Sequence, residues 1–197
     1  MTRTTIAKYC RFEMRSCRAL CAVLFAAGLS FIAFGADTLY WTGAASSWGG
    51  VGAWTNSAGV VKSVASGDTL VIEHFSASGA TMETENDLEG ASIATITVRG
   101  TGPVRLFGNA MTLTGNFNVN TIVTNDIGIT LGTANNQTLT VITNALSASS
   151  PYLVQNGDIT GTTAKTFNVK ATKENGAAST ALVFNGDIIL PNAILQE

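Results

Sequence analysis

The residues able to do chemistry are few and scattered. His74 is the only histidine. Beside Asp68 and one of the many serines it could complete a nucleophilic triad. The chain has no G-x-S-x-G turn of the kind that exposes a nucleophilic serine, so His74 reads as a partly exposed residue at a strand end. One histidine without nearby cysteines does not make a zinc site. Glu83, Glu85, Asp87 and Glu89 offer oxygen ligands of the sort calcium takes. Their spacing matches neither the EF-hand loop nor the Gly/Asp nonapeptide, and they read as a solvated turn. Asp158 and Asp187 recur in two Asn-Gly-Asp blocks. Paired carboxylates on one face could act as general acid and base on a glycosidic bond. Aspartate after glycine is also an ordinary turn former, and that reading is preferred. Trp41, Trp48 and Trp54 could stack on sugars; large aromatics beside the first strands are expected instead to cover the open end of a stack. No catalytic, metal or cofactor residue is assigned.

The elements that would position these groups are strands. After residue 36 short β-branched runs alternate with Gly, Asn, Ser, Thr and Asp, and no stretch shows a helical period. Strands are expected at 38–42, 69–74, 93–98, 104–107, 111–114, 117–120, 122–124, 128–131, 138–143, 166–171 and 181–190, with 172–180 the most loop-like stretch. Leu153-Val-Gln-Asn-Gly-Asp-Ile159 recurs as Leu182-Val-Phe-Asn-Gly-Asp-Ile188, an offset of 29. Thr121-Ile-Val-Thr-Asn-Asp-Ile127 recurs loosely as Thr140-Val-Ile-Thr-Asn-Ala-Leu146, an offset of 19. Such repeats point to an all-β parallel solenoid whose successive coils pair, with alternate side chains inward and asparagines stacked at the corners. A β-sandwich is the alternative: it explains tight turns but not repeated seven-residue blocks.

Composition separates residues 1–35 from the rest. They hold all three cysteines, Cys10, Cys17 and Cys21, and five of the eleven basic residues. A basic stretch to Arg18 and an apolar run over 19–34 have the layout of a secretory signal. Cleavage is expected after Gly35, with the bond after Ala36 as second choice. As a helix, 16 apolar residues span roughly 24 Å against roughly 30 Å of hydrocarbon, which favours a cleaved signal over a retained anchor. The following 162 residues carry six Lys/Arg and twelve Asp/Glu, a net charge of −6. Lacking cysteine, they have no disulfide, and their acidic balance leaves no footprint for nucleic acid.

Leu39-Tyr-Trp-Thr-Gly43, Trp48, Ala53-Trp54-Thr55-Asn56 and Ser66-Gly67-Asp68-Thr69-Leu70-Val71-Ile72 together resemble the start of large exported bacterial proteins of the autotransporter type. Gly108-Asn109-Ala110-Met111-Thr112-Leu113-Thr114-Gly115 and Ile127-Gly-Ile-Thr-Leu-Gly132, followed by Gln137-Thr138-Leu139, are similar to their autotransporter-associated β-strand repeats. The resemblance spans most of 38–190; it departs from the pattern at Ala53, where the family has asparagine before the tryptophan. It implies a right-handed parallel β-helix passenger, exposed at or beyond the outer membrane. Residues 1–35 are then the signal, 36–75 a tryptophan-rich cap with the first strands, and 76–197 the repeat region. The family's C-terminal barrel has no counterpart here, so the chain is expected to be part of a longer passenger. The expected function is a non-catalytic, adhesin-like surface segment exported through the inner-membrane machinery, with surface glycans or extracellular matrix as its partners. The alternative is the N-terminal part of a secreted carbohydrate-active β-helix enzyme.

Overall fold

The structure, a computed structural model, describes residues 36–132, 136–143, 152–161, 166–173, 182–190 and 195–196. The apolar run and Gly35 lie outside them; Ala36 is the first described residue and is exposed.

Every described element is a strand. In chain order they are β1 Thr38–Trp41, β2 Trp54–Thr55, β3 Val61–Lys62, β4 Thr69–His74, β5 Met82–Asn86, β6 Ser92–Ile93, β7 Thr95–Gly100, β8 Val104–Gly108, β9 Met111–Leu113 and β10 Phe117–Asn120. There follow β11 Val123–Asn125, β12 Ile129–Leu131, β13 Asn136–Thr143, β14 Leu153–Gln155, β15 Ile159–Gly161, β16 Thr166–Lys173, β17 Leu182–Phe184, β18 Ile188–Ile189 and β19 Leu195–Gln196. From β4 onward the chain visits three sheets in fixed rotation. The first runs β4-β7-β10-β13-β16-β19, the second β5-β8-β11-β14-β17 and the third β6-β9-β12-β15-β18. Neighbours within each run are parallel. That is the pairing of stacked coils, not of an antiparallel sandwich. Each circuit leaves a strand, passes through two other sheets and returns beside it.

The period-two alternation of side chains builds the core. Leu70, Ile96, Phe117 and Leu139 pair in sequence across the first sheet, and all are buried. Val104, Val123 and Leu153 do the same in the second, and Met111, Ile129 and Ile159 in the third. These columns belong to one hydrophobic cluster.

The 29-residue repeat is a stacking register: Leu153 pairs with Leu182 and Ile159 with Ile188. The 19-residue repeat is not. Thr140 pairs with Asn118 in the first sheet, whereas Thr124 pairs with Arg105 in the second; Leu146 lies outside the described residues. The strand expected over 181–190 divides into β17 and β18 around Asn185-Gly186-Asp187. That expected over 93–98 divides into β6 and β7 at Ala94. Thr172 and Lys173 continue β16 rather than opening the loop; residues 174–180 lie outside the described residues.

The acidic stretch is a correction in part: Asp87 and Glu89 are exposed beyond the strand, with Glu89 in a turn, but Glu83 and Glu85 belong to a strand. Met82–Asn86 is a strand, not a turn. Thr84 and Asn86 face inward, fully buried, while Glu83 is exposed and Glu85 half-exposed. Alternation, invisible in a charge count, puts every second residue in the core.

Candidate functional site

The first edge of the stack is closed by residues 36–68. β1 lies parallel on β4, then β2 and β3 turn back antiparallel. The edge of the second sheet is met by Ser46–Trp48: Glu85 N–H donates to Ser46 O (3.0 Å), and Trp48 N–H donates to Glu85 O (2.8 Å). The edge of the third is met by Gly67 and Asp68, through Gly67 N–H to Ser92 O and Ala94 N–H to Asp68 O, both 2.8 Å. The Asp68 carboxylate, buried, receives the backbone N–H groups of Asp37 (2.8 Å) and Ala65 (2.7 Å). It is therefore committed to the backbone. His74 Nε2 lies 2.8 Å from Ala80 O, so the two are not joined in a relay.

The tryptophans are part of this closure. Trp48 and Trp54 are fully buried and Trp41 nearly so. Trp54 meets Trp41 and Trp48 edge to face, with ring centroids 5.1 and 5.9 Å apart. Each fully buried indole N–H has a partner: Trp48 donates to Thr84 Oγ1 and Trp54 to Trp48 O, both 3.0 Å. None of the three offers a free ring face to a sugar.

A concavity lies elsewhere, at the corner between the second and third sheets. It is a trough of about 410 Å³ running along the stack from Ala110 through Asp126, Gly128 and Thr130 to Asn156, Asp158 and Thr160. The corners at Asp126 and Asn156 line it, and a third continues their stack beyond it. Asn125-Asp126-Ile127, Gln155-Asn156-Gly157 and Phe184-Asn185-Gly186 stack one above another. A Cβ on Gly157 would come within 2.2 Å of the Ile127 carbonyl oxygen, and one on Gly186 within 2.6 Å of that of Asn156. Close stacking, more than turn geometry, explains the glycine of Asn-Gly-Asp.

The corner is polar on both sides. Inward, Asn125 Nδ2 donates to Gln155 Oε1 (2.7 Å), and Gln155 Nε2 donates to Gly157 O (2.8 Å) and Ile127 O (3.2 Å). Both side chains are buried, and this ladder meets their hydrogen-bonding demand. Outward, Asn156 Nδ2 donates to Asp126 Oδ1 (2.6 Å) and Asn185 Nδ2 to Asn156 Oδ1 (2.8 Å). Arg105 Nε donates to Asp126 Oδ2 (2.7 Å) and its Nη1 to Glu83 (3.1 Å). Burial pushes the Asp126 carboxyl up, but the Asn156 amide and the Arg105 guanidinium outweigh it and hold it below the ordinary aspartate range. Asp187 N–H donates to Asp158 Oδ1 at 2.9 Å. The hydroxyls of Thr130 and Thr160 lie 3.2 Å apart.

Of the residues weighed from sequence, Asp158 lines the trough and Asp187 sits one circuit on, bonded to it through its backbone. His74, the tryptophans and the acidic stretch do not reach it, except that Glu83 shares Arg105 with Asp126. Sequence reasoning missed Asp126, Asn156, Thr130 and Thr160. An alignment of 124–130 with 154–160 would have found them, but the closer letter match at an offset of 19 masked the true register of 30. Among the described residues no three His, Cys, Asp or Glu side chains gather as a metal site. No family model, curated protein or solved structure matches the chain.

Proposed function

We propose that the chain is a non-catalytic, adhesin-like surface segment: a right-handed parallel β-helix of the autotransporter passenger type, exported by its first 35 residues and displayed at the surface of a Gram-negative-type envelope. Right-handed winding is the hand that crossovers between parallel neighbours of one sheet take almost without exception. The parallel three-sheet stack supports the passenger reading, as do the tryptophan-rich first edge and the basic, apolar first 35 residues.

The observation that carries the non-catalytic reading is the bonding of the trough's polar groups to one another from circuit to circuit. Asp126 is held ionised between Arg105 and Asn156, whereas a general acid for glycoside cleavage needs a raised pKa. One oxygen of Asp158 is occupied by the next circuit's backbone. The rival reading is the N-terminal part of a secreted carbohydrate-active β-helix enzyme, whose catalytic coils would lie beyond residue 197.

Expression of the whole chain in a Gram-negative host tests export. Terminal sequencing should find the product beginning at Ala36, outside the cytoplasm. A product that keeps Met1 or Thr2 and stays in the cytoplasm rules the export out. Beads coated with the exported chain should adhere to glycan-bearing cells and release no reducing sugar from them.

A further inference from the structure

We propose that the trough at the corner between the second and third sheets binds an uncharged, extended polysaccharide lying along the axis of the stack. The inference deepens the adhesin-like reading and rests on it, since it names the ligand class and the place.

The trough's shape comes first. Its floor is glycine at Gly128 and Gly157, and its length crosses three circuits, from Ala110 to Asp126–Thr130 to Asn156–Thr160. Successive strands stand about 4.8 Å apart, so the paired Thr130 and Thr160 repeat at that interval, while Asp126 is followed by Asn156 and Gly128 by Asp158. An extended β-linked hexose chain advances by close to one strand spacing per sugar. A glycan on the axis would therefore set successive sugars over successive circuits, with a threonine hydroxyl beside two of them.

The chemistry comes second. Asn156 and the Thr130 and Thr160 hydroxyls offer both donors and acceptors, and the carboxylates of Asp126 and Asp158 accept from sugar hydroxyls. Ala110, exposed, supplies the apolar contact that a sugar's C–H face needs. Hydroxyl and amide groups that already bond one another are held in place, so little ordering entropy is lost on binding.

Charge decides the polymer. Among the described residues no Lys or Arg lines the trough; Arg105, at this corner, is turned to Asp126 and Glu83. A uronate or sulfated glycan would meet the Asp158 carboxylate and, at Asp126, a guanidinium already paired, whereas a neutral one meets only acceptors and donors.

Cellohexaose, a neutral β-1,4 hexamer, serves as the probe, beside two anionic hexamers, β-1,4-linked hexaglucuronate, which differs from it in its carboxylates alone, and α-1,4-linked hexagalacturonate, each titrated calorimetrically into the exported chain. Cellohexaose should bind, and affinity should rise from the dimer to about the tetramer and then level, as the trough fills. Each anionic hexamer should bind at least 10-fold more weakly. Gly128→Leu fills the floor where a Cβ meets nothing closer than the Ala110 methyl at 3.4 Å, so it should keep the β circular-dichroism spectrum and lose cellohexaose binding at least 10-fold. Thr130→Ala with Thr160→Ala should weaken it about 3-fold or more.

Equal binding by a folded Gly128→Leu, no dependence on chain length, or preference for either anionic hexamer would overturn the proposal, as would no binding at millimolar sugar. Coated beads that still adhere to cells while cellohexaose does not bind would overturn the trough and leave the adhesin reading standing. Cleavage of cellohexaose that Gly128→Leu abolishes would support the trough and overturn the non-catalytic reading.

Discussion

The two ends of the stack are built on different principles. At the first, residues 36–68 leave none of the three leading strands bare: β1 covers β4, Ser46–Trp48 covers β5, and Gly67 with Asp68 covers β6. Three tryptophans fill the space behind them. At the other, the columns that are buried in the interior open to solvent. In the inward column of the third sheet Ile129 is 4% exposed and Ile159 1%, but Ile188 is 39% exposed. Leu182 pairs with buried Leu153 yet is only half-buried. A parallel strand edge carries unpaired N–H and C=O groups and templates further strands unless something blunts it. The first end is blunted by a chain reversal, which demands antiparallel strands, tight turns and aromatic filling. The last described circuit has the residue types of an interior one.

The largest test of this contrast is at the capped end. Trp54→Ala removes a fully buried indole and two edge-to-face contacts and should cost about 3–5 kcal/mol in urea unfolding. A loss under about 1 kcal/mol would mean that the aromatic cluster does not hold the closure together. Next comes a matched pair in one column. Ile159→Ala should cost about 2–4 kcal/mol, whereas Ile188→Ala, already well exposed, should cost under about 1 kcal/mol. Equal losses would erase the distinction between interior and last circuit.

The smallest effect concerns the charge that ties loop to sheet at the first end. Gly49 N–H donates to Asp87 Oδ1 at 2.6 Å. That bond, helped by Ser47 and opposed by desolvation, holds the Asp87 carboxyl below its ordinary value of 3.8. A lowered folded-state pKa means stability that is present above 3.8 and lost as the pH falls below it, through the folded value. Acid melts of the wild type should therefore fall more steeply below that pH than those of Asp87→Asn. At neutral pH, Asp87→Asn should differ by under about 1 kcal/mol, because the group is exposed to solvent. Parallel acid curves would show that Asp87 does not couple the loop to β5.

Much of the strand layout was legible. Thr69–His74 and Phe117–Asn120 are strands with the expected bounds, because alternating β-branched residues between turn formers leave few other choices. β5 was not legible: in Met-Glu-Thr-Glu-Asn the inward positions are threonine and asparagine, so no apolar alternation announces it. They are tolerated inside because Thr84 accepts from the Trp48 indole and Asn86 Nδ2 donates to Asn109 O at 2.8 Å. Both partners are more than twenty residues away in the chain. The trough failed for the same reason, since its walls meet only through a register of 29 or 30 residues.

What the sequence determined by itself was local: a basic and apolar first 35 residues, period-two strands, glycine and asparagine at corners, and the recurrence of Asn-Gly-Asp. These follow from backbone and side-chain geometry within a few residues. The tertiary structure alone decided which strands share a sheet, which polar residues turn inward, which carboxylates meet, and how the first edge is closed. Circuits differ in length because corners absorb extra residues without disturbing the strands they join. Spacing along the chain therefore does not specify spacing along the stack, and only the paired backbones settle it.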